Sequence, residues 1–240
     1  MDILEDIIAD DLFLYLKGYE TFIISDVHIG FEESLNDKGI LIPRKNFDDL
    51  ILRLEKSMHS ILKKNNISHI IINGDLVHEF SRVPSKVKSL VGKFIKFLKQ
   101  YGDVRIISGN HDKALKFIVD ESLIYEKLLF GDILIIHGDR LPDKKSLKDV
   151  KTLIIGHEHP AVCIRSNNRS EKFKCFLKGR YRRKDIIVMP SCNILIEGTD
   201  VSSERLLSPL LKDVDLGSFN VYIVEDKIYD FGKMKGLIDK

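Results

Sequence analysis

The chain lacks several features that would assign it to a secreted or membrane class. It has no tryptophan and only three cysteines in 240 residues, and no two cysteines form a C-x-x-C pair. An odd number of scattered thiols excludes a disulfide framework and favours reduced structural cysteines. No apolar run approaches the roughly 20 residues that span a bilayer, and the acidic N-terminus lacks the positive region of a secretory signal. We therefore expect a cytoplasmic protein without a membrane segment.

A strong charge of one sign is also missing. The formal net charge is +2, which is too small to identify a nucleic-acid-binding protein by itself. The sequence shows no repeat, no low-complexity segment and no linker rich in Gly, Ser or Pro. Apolar residues make up 44% of the chain and recur along most of it, which excludes extended disorder. We predict a single domain that spans residues 1–240.

The spacing of apolar residues predicts alternating strands and helices, followed by a part that is mostly strand. Helical spacing covers 47–64, 87–98 and 113–119, and a hairpin is expected over 12–25. Further strands are predicted at 69–73, 104–108, 133–137, 153–156, 161–165, 173–177, 186–189 and 221–224. The segment 30–43 is predicted to be a loop, and its role is left open. These elements favour an α/β fold with a two-sheet core.

Histidines and carboxylates are concentrated where the apolar runs end. Six of the eight histidines lie in five short motifs, which read D-V-H, G-D-L-V-H, G-N-H-D, H-G-D and G-H-E-H. Each motif follows a predicted strand. Ligands of open α/β sheets gather at the carboxyl ends of the strands, so we expect the five motifs to form one site.

The side chains in these motifs are of the kind that binds metals. Carboxylates, imidazoles and one amide suit mid-row divalent ions, and the lack of thiolates argues against a structural zinc site. Seven candidates exceed what one tetrahedral ion uses, but they suit two ions that share a carboxylate. Glycines before three of them permit tight turns close to the metals. The candidates are Asp26, His28, Asp75, Asn110, His137, His157 and His159.

A pair of metal ions suits phosphate ester hydrolysis. Two ions about 3.5–4 Å apart can hold a phosphate, lower the pKa of a bridging water and stabilise the leaving oxygen. His111 follows Asn110 and is not needed as a ligand. It can therefore face the substrate, where it would protonate the leaving group or stabilise charge on the phosphoryl oxygens. His111 is therefore a candidate for a catalytic role, and a metal-bridging hydroxide is the expected nucleophile.

The motif series D-x-H, G-D, G-N-H-D, H and G-H-x-H resembles that of the calcineurin-like metallophosphoesterases. The resemblance implies a four-layer αββα sandwich of two mixed sheets, with His111 as the catalytic histidine. It also implies two metal sites that share Asp75 as a bridging ligand. The first would contain Asp26, His28, Asp75 and His159, and the second Asp75, Asn110, His137 and His157.

Three longer stretches, G-D-L-V-H-E-F, G-H-E-H-P-A and C-F-L-K-G, narrow the resemblance. They are similar to the archaeal SbcD-related phosphoesterases and to the bacterial DNA-ligase-associated ones. Many family members have a second Asp where this chain has His78, and that Asp can orient the catalytic histidine. His78 could orient His111 in the same way or contact the substrate. Asp112 is expected to tie down its loop through hydrogen bonds to the backbone.

A basic stretch at 169–184 has two interpretations. It could be a hairpin that contacts DNA, since phosphate backbones need clustered positive charge and aromatic rings can stack on bases. It could equally be a solvated edge hairpin whose lysines discourage edge pairing. The cations are Arg169, Lys172, Lys174, Lys178, Arg180, Arg182, Arg183 and Lys184, and they interleave with Phe173, Phe176 and Tyr181.

The motifs predict a dinuclear metal centre, and the resemblance implies a phosphoesterase, with a phosphodiesterase as the expected class. Mn²⁺ is the expected ion, although Fe, Zn, Ni or Mg would also suit the ligands. Three alternatives stay open. They are a DNA-repair nuclease that acts on DNA ends or single strands, a phosphomonoesterase, and a non-catalytic scaffold of the same fold. Cyclic nucleotides, nucleic acids and other phosphoesters would fit the same metals.

Overall fold

The computed structural model describes residues 1–42, 45–78, 83–166 and 169–238. Its first sheet has seven strands in the order β1-β2-β3-β4-β5-β6-β7. They are β1 (Asp2–Leu4), β2 (Ile7–Asp10), β3 (Phe13–Leu16), β4 (Thr21–Ser25), β5 (His69–Asn73), β6 (Asp103–Ile107) and β7 (Ile124–Tyr125). The first four strands pair antiparallel, and β4 to β7 pair in parallel.

The second sheet is also mixed. Its order is β14-β11-β12-β13-β10-β9-β8, with β15 paired to β12 and β16 paired to β15. Strands β9, β10 and β13 are parallel. The strands are β8 (Leu128–Phe130), β9 (Ile133–Ile136), β10 (Thr152–Ile155), β11 (Pro160–Ser166), β12 (Arg169–Tyr181), β13 (Lys184–Val188), β14 (Thr199–Asp200), β15 (Asn220–Val224) and β16 (Ile228–Lys233).

Side chains of the second sheet alternate between two apolar cores, as the period of two in a strand requires. Ile135 and Ile154 belong to the core shared with the first sheet, whereas Leu134 and Leu153 belong to a separate core. This second core is closed by residues from the 201–219 segment. In the described part of the chain, that outer layer consists of turns, a short 3₁₀ helix and α4 (Lys235–Ile238). The predicted α/β class with two mixed sheets is confirmed.

Two long helices, α2 (Asn46–Leu62) and α3 (Ser85–Leu98), cover the first sheet. Each buries one apolar stripe with a spacing of three or four residues, as an amphipathic helix does. On α3 the buried residues are Val87, Val91, Phe94, Ile95 and Leu98. The sequence predicted both helices to within about two residues at each end, the usual spread of helix boundaries. Among the described helices, none is both long and apolar enough to cross a membrane.

Gly92 lies on the exposed side of α3, where a glycine has no evident packing role. A Cβ added at Gly92 would meet no other atom within 4 Å. We therefore expect Gly92→Ala to stabilise the protein by about 0.5–1 kcal/mol, because alanine restricts the unfolded chain more than glycine does. Urea unfolding of Gly92→Ala beside Ser89→Ala, an exposed change on the same helix, measures the effect. A loss of stability in Gly92→Ala would contradict this expectation.

Several segments differ from the sequence predictions. Strands β1 and β2 were not predicted, because their apolar runs are short and interrupted by acidic residues. Half of the predicted loop over 30–43 forms helix α1 (Phe31–Asp37), which begins after Gly30 and carries two glutamates in its first turn, a placement that favours helix initiation. Residue 43 lies outside the described residues. The helix predicted at 113–119 is a 3₁₀ helix at Asp112–Phe117.

Candidate metal centre

The five polar motifs meet where the carboxyl ends of both sheets face each other. The register of β4, β5 and β6 places Ser25 opposite Asn73 and Asn73 opposite Ile107, so the loops that follow start at one edge. Backbone hydrogen bonds then join two of these loops, since the His28 N–H donates to the Asp75 carbonyl at 2.8 Å. The second sheet contributes the loops that follow β9 and β10.

A first group of potential ligands contains Asp26, His28, Asp75 and His159, whose ligand atoms all lie within 4.8 Å of one another. His159 Nε2 is 3.1 Å from Asp26 Oδ1. It also lies 3.4 Å from His28 Nε2, so two imidazole nitrogens face each other beside carboxylates. That arrangement suits a cation placed between them.

A second group contains Asp75, His137 and His157, again with ligand atoms within 4.8 Å of one another. His137 Nε2 lies 3.2 Å from Asp75 Oδ2 and 3.1 Å from the Asn110 amide oxygen. The amide oxygen of Asn110 is thus a fourth candidate ligand atom beside those of Asp75, His137 and His157. Asp75 belongs to both groups, which is the position that a bridging carboxylate needs.

The backbone at these ligands adopts an unusual conformation. Five of the seven candidates have φ between 47° and 64°, a left-handed region that costs a non-glycine residue of order 1–3 kcal/mol. These residues are Asp26, His28, Asp75, His157 and His159. Sharp left-handed turns just past the strand ends aim the side chains at a common point. Such strain is typical of functional sites, where the surrounding structure holds it in place.

Electrostatics also favours a cation. Burial and the neighbouring His159 lower the pKa of His28 to about 3, which keeps this imidazole in the neutral form that binds metals. Burial alone would raise the pKa of Asp26, but the charges of His159 and His137 hold it below its ordinary value. For His137, burial is outweighed by a hydrogen bond with Asp75 and by the charge of Asp26, which raise its pKa to about 9. Metal binding at His137 would therefore release a proton.

Three glycines leave room for the ligands. A Cβ at Gly74 would overlap the His137 ring, one at Gly109 would overlap the Asp75 carboxylate, and one at Gly156 would overlap Ser25 and Asp26. The backbone therefore passes directly behind the ligand side chains. With carboxylates, imidazoles and an amide converging from both sheets, the residues present fit two divalent ions.

A model of the calcineurin-like phosphoesterase family matches residues 20–189. This chain belongs to that family. The match runs from the start of β4 to the end of β13. The residues that identify the family therefore include all seven candidate ligands. No curated protein sequence gives a significant match.

Solved structures show a similar fold at low sequence identity. The nuclease MPE from Pseudomonas putida superimposes with a TM-score of 0.63 and 17% identity, covering 92% of both chains. Vps29 from Entamoeba histolytica, in complex with Zn²⁺, gives a TM-score of 0.36 at 15% identity over 88% of this chain and 96% of its own. The similarity to the nuclease supports the two-sheet architecture of the phosphoesterase.

His111 lies beside the ligands of this phosphoesterase without belonging to either group. Its backbone N–H donates to Asp75 Oδ1 at 2.9 Å. Its ring packs edge-on against His28 and is nearly parallel to His78, with centroids 5.3 and 5.9 Å apart. His78 thus lies next to the predicted catalytic histidine, as either of its proposed roles requires.

Asp112 has the geometry of a structural residue. Its buried carboxylate accepts hydrogen bonds from the backbone N–H groups of Leu76, Val77 and Gly109, at 3.0–3.3 Å. Burial raises its pKa to about 6 although these three donors oppose the shift. The carboxylate therefore joins the loop that holds Asp75 to the loop that holds Asn110 and His111.

Glu158 fixes the loop between the ligands His157 and His159. Its side chain is fully buried and accepts hydrogen bonds from the backbone N–H groups of Leu207 and Ser208 at 2.9 and 2.7 Å. This role has no signature in the sequence, because the partners are backbone groups about fifty residues away.

A second anchor was not predicted from the sequence. Lys174 Nζ donates to the carbonyl oxygens of Ser191 and Asn193. The loop 191–193 also contacts the turn that carries Asp26. Ser191 Oγ donates to the backbone carbonyl of Asp26 at 2.7 Å, and the Asn193 side-chain amide donates to the backbone carbonyl of Val27 at 3.1 Å. The Lys174 ammonium thus supports the Asp26 turn from the second sheet. Only the tertiary arrangement brings these residues together.

The basic stretch at 169–184 forms much of β12 and β13, and several of its cations have intramolecular partners. Lys172 pairs with Glu204, Arg180 pairs with Asp185, and Lys184 donates to a backbone carbonyl. Phe176 and Tyr181 are buried and are not accessible to bases. The side chain of residue 169 lies outside the described part. DNA contact here stays a prediction that depends on Lys178, Arg182 and Arg183.

Proposed function

We propose that this phosphoesterase hydrolyses phosphodiesters with two divalent ions. One ion would bind Asp26, His28, Asp75 and His159, and the other Asp75, Asn110, His137 and His157. The observation that carries the proposal is the shared position of Asp75, which belongs to both groups of converging ligand atoms. When bound, two such ions hold a phosphate, activate a water and neutralise charge on the reacting oxygens.

The protein's own residues have distinct tasks in this proposal. Asp26 and Asp75 supply the negative charge that retains the ions, and both are buried. His111 is partly exposed beside the first group, where it can donate a proton to the leaving oxygen or stabilise a phosphoryl oxygen. His78, stacked on His111, would keep its ring in place or contact the substrate.

The charge around the centre favours a diester over a monoester. In the described part of the chain, no lysine or arginine makes a hydrogen bond or ion pair with Asp26 or Asp75. A monoester dianion carries one more negative charge than a diester and would gain from such a cation. A site without such a cation at its carboxylates suits the singly charged diester.

Three finer assignments extend this proposal. Imidazole and carboxylate ligands suit Mn²⁺, which we take as the working ion. The G-D-L-V-H-E-F and G-H-E-H-P-A stretches support membership of the SbcD-related or ligase-associated group. The three free thiols support a cytoplasmic location.

Hydrolysis of bis-p-nitrophenyl phosphate and of p-nitrophenyl phosphate tests the reaction class. With Mn²⁺ we expect turnover of the diester at a higher kcat/KM than that of the monoester, and loss of both in EDTA. A preference for the monoester would overturn the phosphodiesterase assignment. Absence of metal-dependent turnover of either compound would favour the non-catalytic scaffold.

A further inference from the structure

Positive charge is distributed unevenly along this chain. Residues 83–118 contain eight lysines and arginines but only two aspartates, a formal charge of +6 in a chain whose total is +2. One of the two aspartates, Asp112, is buried. The rest of the chain is therefore net acidic, and the excess of cations belongs to one continuous segment that includes α3, β6 and His111.

The topology places the start of α3 and the residues around His111 at the edge of the sheet that carries the metal centre, and the end of α3 at the opposite edge. Crossovers between parallel strands are right-handed, so α2, α3 and the 3₁₀ helix Asp112–Phe117 lie side by side on one face of the first sheet. The 3₁₀ helix begins directly after His111. Hydrogen bonds from Ser122 and, more weakly, the charge of Lys99 lower the pKa of Asp120. Lys99, just after α3, is therefore close enough to Asp120, three residues after the 3₁₀ helix, for their charges to interact.

The exposed side of α3 carries lysines among small uncharged residues and no carboxylate. Five lysines lie on or just after the helix, and no acidic residue occurs between 83 and 102. Lys86 pairs with Glu33 at 2.7 Å, which ties the start of α3 to α1 beside the centre. The other four lysines make no ion pair within the described residues. They are the exposed Lys88, Lys93, Lys96 and Lys99.

An exposed aromatic ring lies on the neighbouring 3₁₀ helix. Phe117 is 73% exposed, and the Lys116 ammonium lies 5.1 Å from its ring centroid. A 3₁₀ helix rises about 2 Å per residue, so Phe117 lies roughly 12 Å from His111 along the helix. Phe117 contributes little to the core, whereas Leu115 two residues earlier is buried.

We propose that Phe117 and the lysines of α3 form a binding surface for single-stranded nucleic acid, with a base stacked on Phe117 and the backbone along the lysines. The proposal rests on the phosphodiesterase assignment, because it identifies the substrate that the centre would receive. Single strands bind to proteins through cationic tracks combined with aromatic stacking platforms. The distance between Phe117 and His111 corresponds to a few nucleotides.

Two observations favour this occupant over others. The 3₁₀ helix that carries Phe117 begins directly after His111, so a strand bound at Phe117 would place its own linkages near the centre. The surface also has one aromatic ring among spaced lysines, whereas an interfacial membrane helix needs an exposed apolar face. On α3 the apolar residues are directed into the core.

Fluorescence anisotropy of labelled single-stranded oligonucleotides tests the surface. Measurements in EDTA prevent hydrolysis and make the readout independent of the metals. We expect Phe117→Ala to weaken binding at least about fivefold, the lower limit for loss of one stacked base. Phe231→Ala, at another exposed aromatic residue, is the matched control and should bind like wild type.

Charge reversal tests the lysine track. We expect Lys88→Glu/Lys93→Glu to weaken binding more than tenfold at low salt and to reduce the slope of log K against log salt by about 1.4, since each phosphate contact contributes about 0.7. Arg182→Glu/Arg183→Glu makes the same change on the β12–β13 hairpin and should have less effect. The same anisotropy measurements with DNA and with RNA oligonucleotides show whether the surface prefers deoxyribose or ribose.

The outcomes separate this inference from the proposed reaction. Oligonucleotide binding that neither Phe117→Ala nor the α3 reversal weakens would overturn the inference, as would weak binding of wild type to every strand. A larger effect of the Arg182/Arg183 reversal would assign binding to the hairpin instead. Turnover of bis-p-nitrophenyl phosphate should be unchanged in the Phe117 and α3 variants. Its absence in wild type would refute the reaction while leaving the binding result valid.

Discussion

Asp75→Asn is expected to lower metal-dependent hydrolysis of bis-p-nitrophenyl phosphate by at least a factor of about 100 to 1,000, the usual effect of losing one main electrostatic group of a catalytic site. Asp75 is buried and belongs to both ligand groups. The asparagine side chain offers one neutral oxygen, whereas the Asp75 carboxylate offers a negative charge that two ions can share. Calorimetric titration with Mn²⁺ should show weaker binding at both sites.

A matched control separates this effect from a general loss of aspartate. Asp103→Asn makes the same change at an exposed residue at the start of β6, at the opposite edge of the sheet, and should leave kcat and Mn²⁺ binding unchanged. If Asp75→Asn weakens the binding of one ion only, Asp75 does not bridge. Wild-type activity in Asp75→Asn would refute the two-metal proposal.

Gly74→Ala is expected to destabilise the protein by about 2–5 kcal/mol and to impair Mn²⁺ binding. Gly74 has a φ of 81°, and its added Cβ would overlap the His137 ring. The conformation alone costs alanine about 1–2 kcal/mol, and displacing a packed side chain adds about 1–3 kcal/mol. Urea unfolding measures the loss of stability, and Mn²⁺ titration measures the displacement of His137.

Gly39 provides the control for Gly74. Its φ is 82°, but a Cβ at Gly39 would meet no other atom within 4 Å. Gly39→Ala should therefore show the conformational cost alone and bind Mn²⁺ like wild type. Equal losses of stability in the two variants, with equal Mn²⁺ binding, would show that Gly74 is not required to make room for His137.

The sequence predicted what depends on short-range pattern. Long apolar stripes gave α2 and α3, and the polar residues after each strand gave the positions that converge in the centre. The convergence of these residues could be predicted because neighbouring parallel strands run in the same direction and present their carboxyl ends at one edge of the sheet. The family resemblance then supplied the division of the ligands between two ions.

What the sequence did not reveal depends on contacts between distant residues. The support of the Asp26 turn by Lys174 joins residues almost 150 positions apart through backbone carbonyls, which have no sequence signature. The hairpin at 169–184 looked cationic and aromatic, but its strand pattern turns Phe176 and Tyr181 inward. The exposed face of α3 is therefore a better guide to the cationic surface of the protein than the number of basic residues in the 169–184 stretch.

The seven ligands come from both halves of the molecule. The first sheet supplies Asp26, His28, Asp75 and Asn110 from its loops, and the second supplies His137, His157 and His159. Neither sheet alone holds a complete set for either ion. The ions would therefore link the loops of the first sheet to those of the second sheet. Metal binding would then require that the two sheets are packed together. Under the proposed ligand assignment, both metal sites would be complete only after the two sheets have packed together.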